Sequence, residues 1–219
     1  MTRLSLFQRI KALFILFISV MIACRIIYSG SIRYIFILWN LFLAWIPFQV
    51  SLLLSKLKTI KNIRAIIILS CWLLFFPNAL YVVTDLIHLE EENSIPVWYD
   101  AIMLFMASLT GLMLAFVSLY KVEKFLRLHI KSRSVTEQLI VFFLFAGSFG
   151  VYLGRFDRWN SWDVITYPVQ LFKETAAYFI SPLQHYRIWL ITIIFTAFFS
   201  LLYFTVKKLP VLIKGPGNN

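Results

Sequence analysis

The sequence predicts an all-α polytopic membrane protein with six transmembrane helices and an additional external amphipathic helix. Of its 219 residues, 61% are hydrophobic and only 14% are charged, whereas soluble domains have about 45–50% apolar and about 25% charged residues. The mean hydropathy is +0.82. Because so few polar side chains cannot cover a water-facing surface, most of the apolar side chains must face lipid. This composition excludes a soluble globular domain and a disordered chain.

Six long apolar runs predict the transmembrane helices. A hydrocarbon core of about 30 Å needs about 20 helical residues at 1.5 Å each. The predicted helices lie near residues 10–32, 34–55, 64–84, 97–120, 136–154 and 186–206. Short links join them except for the external segment 155–185, so we expect a single integral membrane domain over residues 1–219.

The distribution of charge predicts the orientation of the chain. With a cytoplasmic N-terminus, 15 of the 21 Lys and Arg residues lie on the inner side and 8 of the 10 acidic residues lie on the outer side. This asymmetry follows the positive-inside rule and predicts that both termini are cytoplasmic, in the plasma membrane of a cell. The net charge of +11 therefore orients the chain against lipid headgroups and does not indicate nucleic-acid binding.

The first predicted helix has two interpretations. Its uncharged run stops at Arg25 after a short basic tail, as in a signal peptide, and small residues near Ser29 or the sequence before Cys24 offer cleavage sites. Alternatively, the helix continues to Ile32, with Arg25 facing protein or reaching towards the outer surface. The six-helix topology uses this second interpretation.

The long external segment contains the additional helix. Between Pro168 and Pro182, apolar residues recur at helical spacing, which predicts an amphipathic helix at the outer membrane interface. These residues are Val169, Phe172, Ala176, Phe179 and Ile180. A plain external helix that covers the end of the bundle is the alternative.

Two patterns inside the predicted spans concern helix packing. Asn40 and Asn78 lie at a similar depth, so they could bond each other or satisfy the carbonyl group that is left free at Pro77. Pro47 and Pro77 should kink their helices. Small residues recur every four positions in the fourth and fifth helices, which predicts that these two helices pack closely. These residues are Ala107, Gly111, Ala115, Ala146, Gly150 and Gly154.

Ionisable and polar side chains gather at the predicted outer ends of the helices. His88, oriented by Asp85 or Asp100, could act as a general base, which makes these three residues the candidate catalytic group. A second group follows the fifth helix and could hold an anionic substrate such as a lipid phosphate. The residues of this candidate substrate-binding group are Arg155, Arg158, Asn160 and Asp163.

The same side chains fit two other roles. Asp85, His88, Asp100 and Asp163 could hold a divalent metal ion, although no HExxH-like or CxxC spacing supports this use. They could also form a buried network of ion pairs and hydrogen bonds, since acids and arginines at this depth are stable only when they are paired. Residues 160–163 also resemble an ordinary helix start.

Several of these stretches together resemble the uncharacterised bacterial membrane proteins grouped as domain of unknown function 1361. The resemblance lies in residues 40–47, 72–79, 84–89, 98–100 and 154–163. Leu80 stands where the family pattern has a second proline. The resemblance implies a bacterial multi-pass membrane protein and brings no assigned activity.

We therefore expect a multi-pass protein of the bacterial cell membrane whose outward-facing Asp/His/Arg cluster acts on or binds an anionic lipid or an envelope intermediate. No nucleophile accompanies the cluster, so an enzyme and a binding protein both stay open. A non-catalytic scaffold or assembly partner is the alternative, and a transporter is the third hypothesis. The lipid bilayer is the expected partner, and no cofactor is assigned.

Overall fold

The fold is all-α, as predicted. The structure is a computed structural model that describes residues 6–57, 60, 62–90 and 95–214. In these ranges the α-helices are α1 (Leu6–Ser29), α2 (Phe36–Leu54), α3 (Ile63–Tyr81), α4 (Val97–Arg127), α5 (Arg133–Arg155), α6 (Asp163–Thr166), α7 (Pro168–Ile180) and α8 (Tyr186–Lys214), and a 3₁₀ helix spans Val82–His88.

Six stretches of the described chain are long and apolar enough to cross a membrane. They are Leu6–Ser29, Phe36–Leu54, Ile63–His88, Val97–Arg127, Arg133–Arg155 and Tyr186–Pro210. Together with α7, they confirm the predicted six transmembrane helices and the additional external helix. The chain is therefore a multi-pass membrane protein.

Local sequence signals explain several helix ends. Asn62 and Ser132 precede α3 and α5, and their side chains accept hydrogen bonds from backbone N–H groups of the first turn. Pro168 occupies the first turn of α7, where a missing N–H costs nothing. Gly30 follows α1 with φ +68°, a left-handed conformation that glycine adopts without a steric penalty.

The chain divides into two compact units, Met1–Phe125 and Leu126–Asn219. The first unit contains α1, α2, α3, the 3₁₀ helix and most of α4. Its core includes Trp72 and Phe76 of α3, which are fully buried with ring centroids 4.6 Å apart. The Trp72 indole N–H donates to the Ser118 hydroxyl of α4 at 3.4 Å, so α3 and α4 are joined inside this core.

A close approach between α3 and α4 depends on Gly111. A Cβ atom at Gly111 would lie 2.8 Å from the Val82 Cβ atom and 2.9 Å from the Ala79 carbonyl oxygen. The Ser108 hydroxyl donates to the Val82 carbonyl at 3.2 Å, where the α-helix changes to the 3₁₀ helix. Gly111 thus packs against the end of α3. The sequence analysis had used Gly111 only to predict packing between the fourth and fifth helices, and that packing stays a prediction.

Two cations of α1 contact aromatic rings in and just before α2. The Lys11 ammonium lies 5.7 Å from the ring centroid of Trp45 and 5.6 Å from that of Phe48, both on α2. Fourteen residues further along, the Arg25 guanidinium lies 4.5 Å from the ring centroid of Tyr34. Cations attract the negative faces of aromatic rings most strongly where water is excluded.

The second unit is built on α5 and α8, which pack against each other and carry the external segment between them. Phe149 of α5 and Trp189 of α8 have ring centroids 6.0 Å apart. Phe179 of α7 packs on both rings, 5.9 Å from Phe149 and 5.0 Å from Trp189. The external helix is therefore attached at its C-terminal end to the two transmembrane helices.

We expect Gly111→Ala to lower the stability of the protein by about 1–3 kcal/mol, because the added methyl group overpacks the α3–α4 contact. Phe105→Ala, on the same helix at a side chain that is 59% exposed, is the control and should cost less. Thermal unfolding of both variants in one detergent measures the difference. Equal stability of the two variants would contradict the role of Gly111.

Candidate functional site

A buried ionic contact of the first unit joins α1 to α4. Arg25 Nε lies 2.9 Å from Asp100 Oδ1, and Arg25 Nη2 lies 3.1 Å from Asp100 Oδ2. Each residue is only 2% exposed. Two parallel hydrogen bonds between a guanidinium and a carboxylate are the strongest geometry for such a pair. Arg25 therefore faces protein. This is one of the two positions that a first helix continuing to Ile32 allowed for Arg25.

A neighbouring hydrogen bond supports the same contact between α1 and α4. The Tyr99 hydroxyl donates to the Met21 carbonyl at 2.9 Å, one turn along α1 from Arg25. The first turn of α4 thus holds α1 through both Tyr99 and Asp100. Asp100, predicted to orient His88, has Arg25 as its observed partner.

Asp85 is a second enclosed carboxylate in the first unit. Its exposed fraction is 0%, and its Oδ2 atom accepts a hydrogen bond from Asn40 Nδ2 at 2.8 Å. The sequence had allowed a bond between Asn40 and Asn78 and had not indicated Asp85. The bond to Asp85 connects α2 to the 3₁₀ helix. It also supplies a hydrogen-bond donor to a carboxylate inside a membrane span.

His88 ends the 3₁₀ helix on the same side as Asp85. A 3₁₀ helix has three residues per turn, so positions 85 and 88 lie one above the other. The His88 ring is half-buried and packs edge-on against Phe36, with ring centroids 5.2 Å apart. Its carbonyl accepts from the Tyr34 hydroxyl at 2.9 Å. His88 is thus anchored through its ring and its backbone.

In the second unit, Arg155 is the last residue of α5 and Arg158 lies in the turn that follows. Arg158 has φ +61°, the left-handed region, and its side chain is exposed. The backbone folds back over this turn, because the Trp159 N–H donates to the Leu153 carbonyl at 3.0 Å. Within the described residues of its unit, Arg158 has no ion pair.

The structure brings Asn160 and Asp163 together. Asp163 Oδ2 accepts from the Asn160 backbone N–H at 2.7 Å and from its Nδ2 at 3.2 Å, while Oδ1 accepts from the Thr166 hydroxyl at 2.8 Å. The backbone N–H is the main reason that the pKa of Asp163 is lowered. These bonds shape the turn that begins α6, in agreement with the helix-start interpretation.

The sequence analysis did not predict the roles of two carboxylates in the external segment, Asp157 and Glu174. Asp157 Oδ2 accepts from the Tyr178 hydroxyl at 2.8 Å. Glu174 accepts from the Trp159 indole N–H at 3.0 Å and from Gln170 Nε2 at 3.0 Å. Burial raises the pKa of Asp157 and, more strongly, that of Tyr178. A signal was present, since Glu174 and Tyr178 share one side of the predicted amphipathic helix.

The two predicted groups are thus each partly assembled. Asp85 and His88 share a side of one 3₁₀ helix, and Asn160 and Asp163 share one turn. Convergence of the two groups stays a prediction. Among the described residues, no three His, Cys, Asp or Glu side chains are grouped as metal ligands.

The fold and these sites define an integral membrane protein with polar contacts at the ends of its helices. The chain belongs to a family described as a protein of unknown function, DUF1361, whose model matches residues 39–202. No curated protein and no solved structure matches the chain.

Breaking the α1–α4 ion pair should be costly. We expect Arg25→Leu or Asp100→Leu alone to lower stability by about 3–5 kcal/mol, because each leaves a buried charge without its partner. The double variant should be more stable than either single variant, since it leaves no buried charge. Thermal unfolding in detergent provides the measurement, and Arg33→Gln, which disrupts the exposed Arg33–Glu90 pair, is the control with little effect. Additive losses in the double variant would contradict this.

The two aspartates of the external segment should respond oppositely to pH. The lowered pKa of Asp163 means that its charged form stabilises the fold above its ordinary pKa of about 3.9, and that this contribution is lost as the pH falls through the folded value. The raised pKa of Asp157 means that its protonated form stabilises the fold at low pH, and that this contribution is lost as the pH rises through the folded value.

Asn variants at the two positions test this difference. Relative to the native protein, Asp163→Asn should be less stable at neutral pH and should become similar towards pH 3. Asp157→Asn should gain relative stability as the pH rises from 4 to 7. Melting temperature measured across this pH range is the readout, and equal pH dependence of the two variants would contradict the assignment.

Proposed function

We propose that this membrane protein binds an anionic lipid, or a lipid-linked envelope intermediate, at its outer surface. Arg158 is the principal contact and Arg155 is the second. The observation that carries the proposal is the conformation of Arg158, an exposed arginine held in left-handed backbone geometry.

The backbone at Arg158 has a cost. A residue with a Cβ atom loses about 1–2 kcal/mol in the left-handed region, where glycine loses nothing. Such a cost is typical of functional positions, where the placement of the side chain compensates for it. The turn directs a guanidinium group out of the segment that follows α5.

The electrostatics of the external segment support an anionic ligand. Its three acids, Asp157, Asp163 and Glu174, accept hydrogen bonds from neutral Tyr, Asn, Thr, Trp and Gln groups. Their hydrogen bonds inside the unit therefore involve no cation. Arg158 and Lys173 stay exposed. A guanidinium binds the phosphate oxygens of a lipid headgroup through two parallel hydrogen bonds, and an ammonium contributes as a point charge.

The catalytic candidates fit this proposal better as a framework than as a reaction centre. Asp100 binds Arg25, and Asp85 accepts from Asn40. A general base needs an accessible proton acceptor within reach of substrate, and both carboxylates are fully enclosed. We propose that Asp85, His88 and Asp100 hold the outer end of the first unit in shape.

A non-catalytic scaffold or assembly partner is the second candidate, favoured by the buried Arg25–Asp100 pair. In that case the polar residues would contribute to stability alone. We further propose a bacterial plasma membrane as the location, with both termini in the cytoplasm. The excess of Lys and Arg on the predicted inner side supports this orientation.

Arg158→Gly separates binding from stability. Glycine removes the guanidinium and also relieves the left-handed backbone, so the melting temperature should stay equal or rise. Binding of phosphatidylglycerol, titrated by native mass spectrometry, should weaken about ten-fold or more, because charged hydrogen bonds contribute about 1.5–3 kcal/mol.

Two controls define the outcome. Arg158→Lys keeps the charge and the backbone conformation but loses the paired hydrogen bonds, and should bind at an intermediate level. Arg33→Gln removes another exposed arginine and should bind phosphatidylglycerol like the native protein. Unchanged binding in Arg158→Gly would refute the proposed contact and favour the scaffold.

A further inference from the structure

A helix that covers a soluble core buries its apolar side, whereas α7 exposes most of its apolar side. Most of its large apolar side chains are exposed, with Phe172 75% and Ile180 80% exposed, although Phe179 also contacts Phe149 and Trp189. The side turned towards the unit carries Glu174 and Tyr178, which are half-buried and hydrogen-bonded to Trp159 and Asp157. In water this arrangement would leave a contiguous apolar surface exposed at a cost of about 25 cal/mol per Å².

The depth of α7 can be read from its aromatic contacts. Phe179 packs on Phe149, which lies six residues before the end of α5, or about 9 Å along the helix. It also packs on Trp189, only three residues after the start of α8. The Trp189 indole N–H donates to the Tyr178 carbonyl at 3.3 Å. The C-terminal end of α7 thus lies level with the ends of two transmembrane helices, not beyond them.

Other apolar residues of the same unit are exposed as well. Ile165 of α6 is 80% exposed and Leu183, just after α7, is 88% exposed. On α8, Leu190 and Ile193 are more than half exposed within a membrane span. Lipid chains cover such residues on a transmembrane helix.

We propose that α7 lies in the plane of the membrane, with the side formed by Val169, Phe172, Phe179 and Ile180 inserted among the acyl chains of the outer leaflet. The occupant of this surface is lipid, and not a second copy of the chain or a soluble protein. Lys173 lies beside this surface and is exposed, so its long side chain reaches the headgroup phosphates. The inference does not depend on the ligand of Arg158.

The hydrogen bonds on the opposite side of α7 make this position stable. A polar group at the depth of acyl chains is costly unless it is hydrogen-bonded. The Asp157–Tyr178 and Trp159–Glu174 bonds satisfy the polar groups on that side and hold the helix so that its apolar side faces outwards. The same bonds prevent a rotation that would turn the apolar side towards the protein.

Site-directed spin labelling of the full chain in lipid nanodiscs tests the proposal. Cys24 and Cys71 are both free and would be replaced by Ser. A single nitroxide is then attached at position 172 or 180. Leu190 on α8 is the control for lipid exposure, and Gln170, an exposed polar residue of α7, is the control for water. Collision rates with oxygen and with a water-soluble nickel chelate are measured at each site.

The labels at positions 172 and 180 should resemble that at Leu190, with an oxygen-to-nickel ratio several-fold higher than at Gln170. A ratio equal to that of Gln170 would overturn the proposal, because it places this side of α7 in water. Low collision rates with both reagents, together with dipolar broadening between labels, would also overturn it in favour of a second copy. If the variant labelled at position 180 does not fold, the label at position 172 decides the question alone.

Discussion

The contact between Arg25 and Asp100 is the constraint on which the first unit depends. Either charge alone inside a membrane helix would be unfavourable by several kcal/mol, so neither residue can be placed independently. The bidentate geometry sets both the rotation of α1 and its height relative to α4. The Tyr99–Met21 bond and the ring of Tyr34 then meet α1 within the same few turns. Helix α1, which the sequence also allowed as a signal peptide, is in this way part of the folded core.

The second unit stabilises its acids differently from the Arg25–Asp100 pair of the first unit. Its external segment carries three acids, and each is stabilised by neutral donors from a turn or from the facing side of α7. A hydrogen bond from Tyr or Trp satisfies a carboxylate without a cation, and Arg158 and Lys173 of this segment are exposed. For this reason we propose anion binding for the second unit and a structural role for Asp85 and Asp100 of the first unit.

The sequence predicted the number of spans and the existence of α7, because both depend on hydrophobic length and period. It did not predict the partner of Arg25, since Asp100 lies 75 residues away and no pattern fixes the rotation of two distant helices. The bond between Asn40 and Asp85 was not predicted, because the sequence indicated only that Asn40 and Asn78 lie at a similar depth. The sequence did not indicate the left-handed backbone of Arg158, because a non-glycine residue seldom adopts this conformation. The hydrophobic period of α7 located its apolar side, but the direction of that side depends on hydrogen bonds to Asp157 and Trp159.

The two cations of α1 have a mechanical consequence. Lys11 and Arg25 are 14 residues apart, which is close to four helical turns, so both project from the same side of the helix. Each is held over aromatic rings that belong to the α2 region, at two well-separated heights. Torque applied to one end of α1 is therefore opposed at both points. An independent twist of α1 would break a contact at each height, so a tilt or a translation shared with its neighbours costs less.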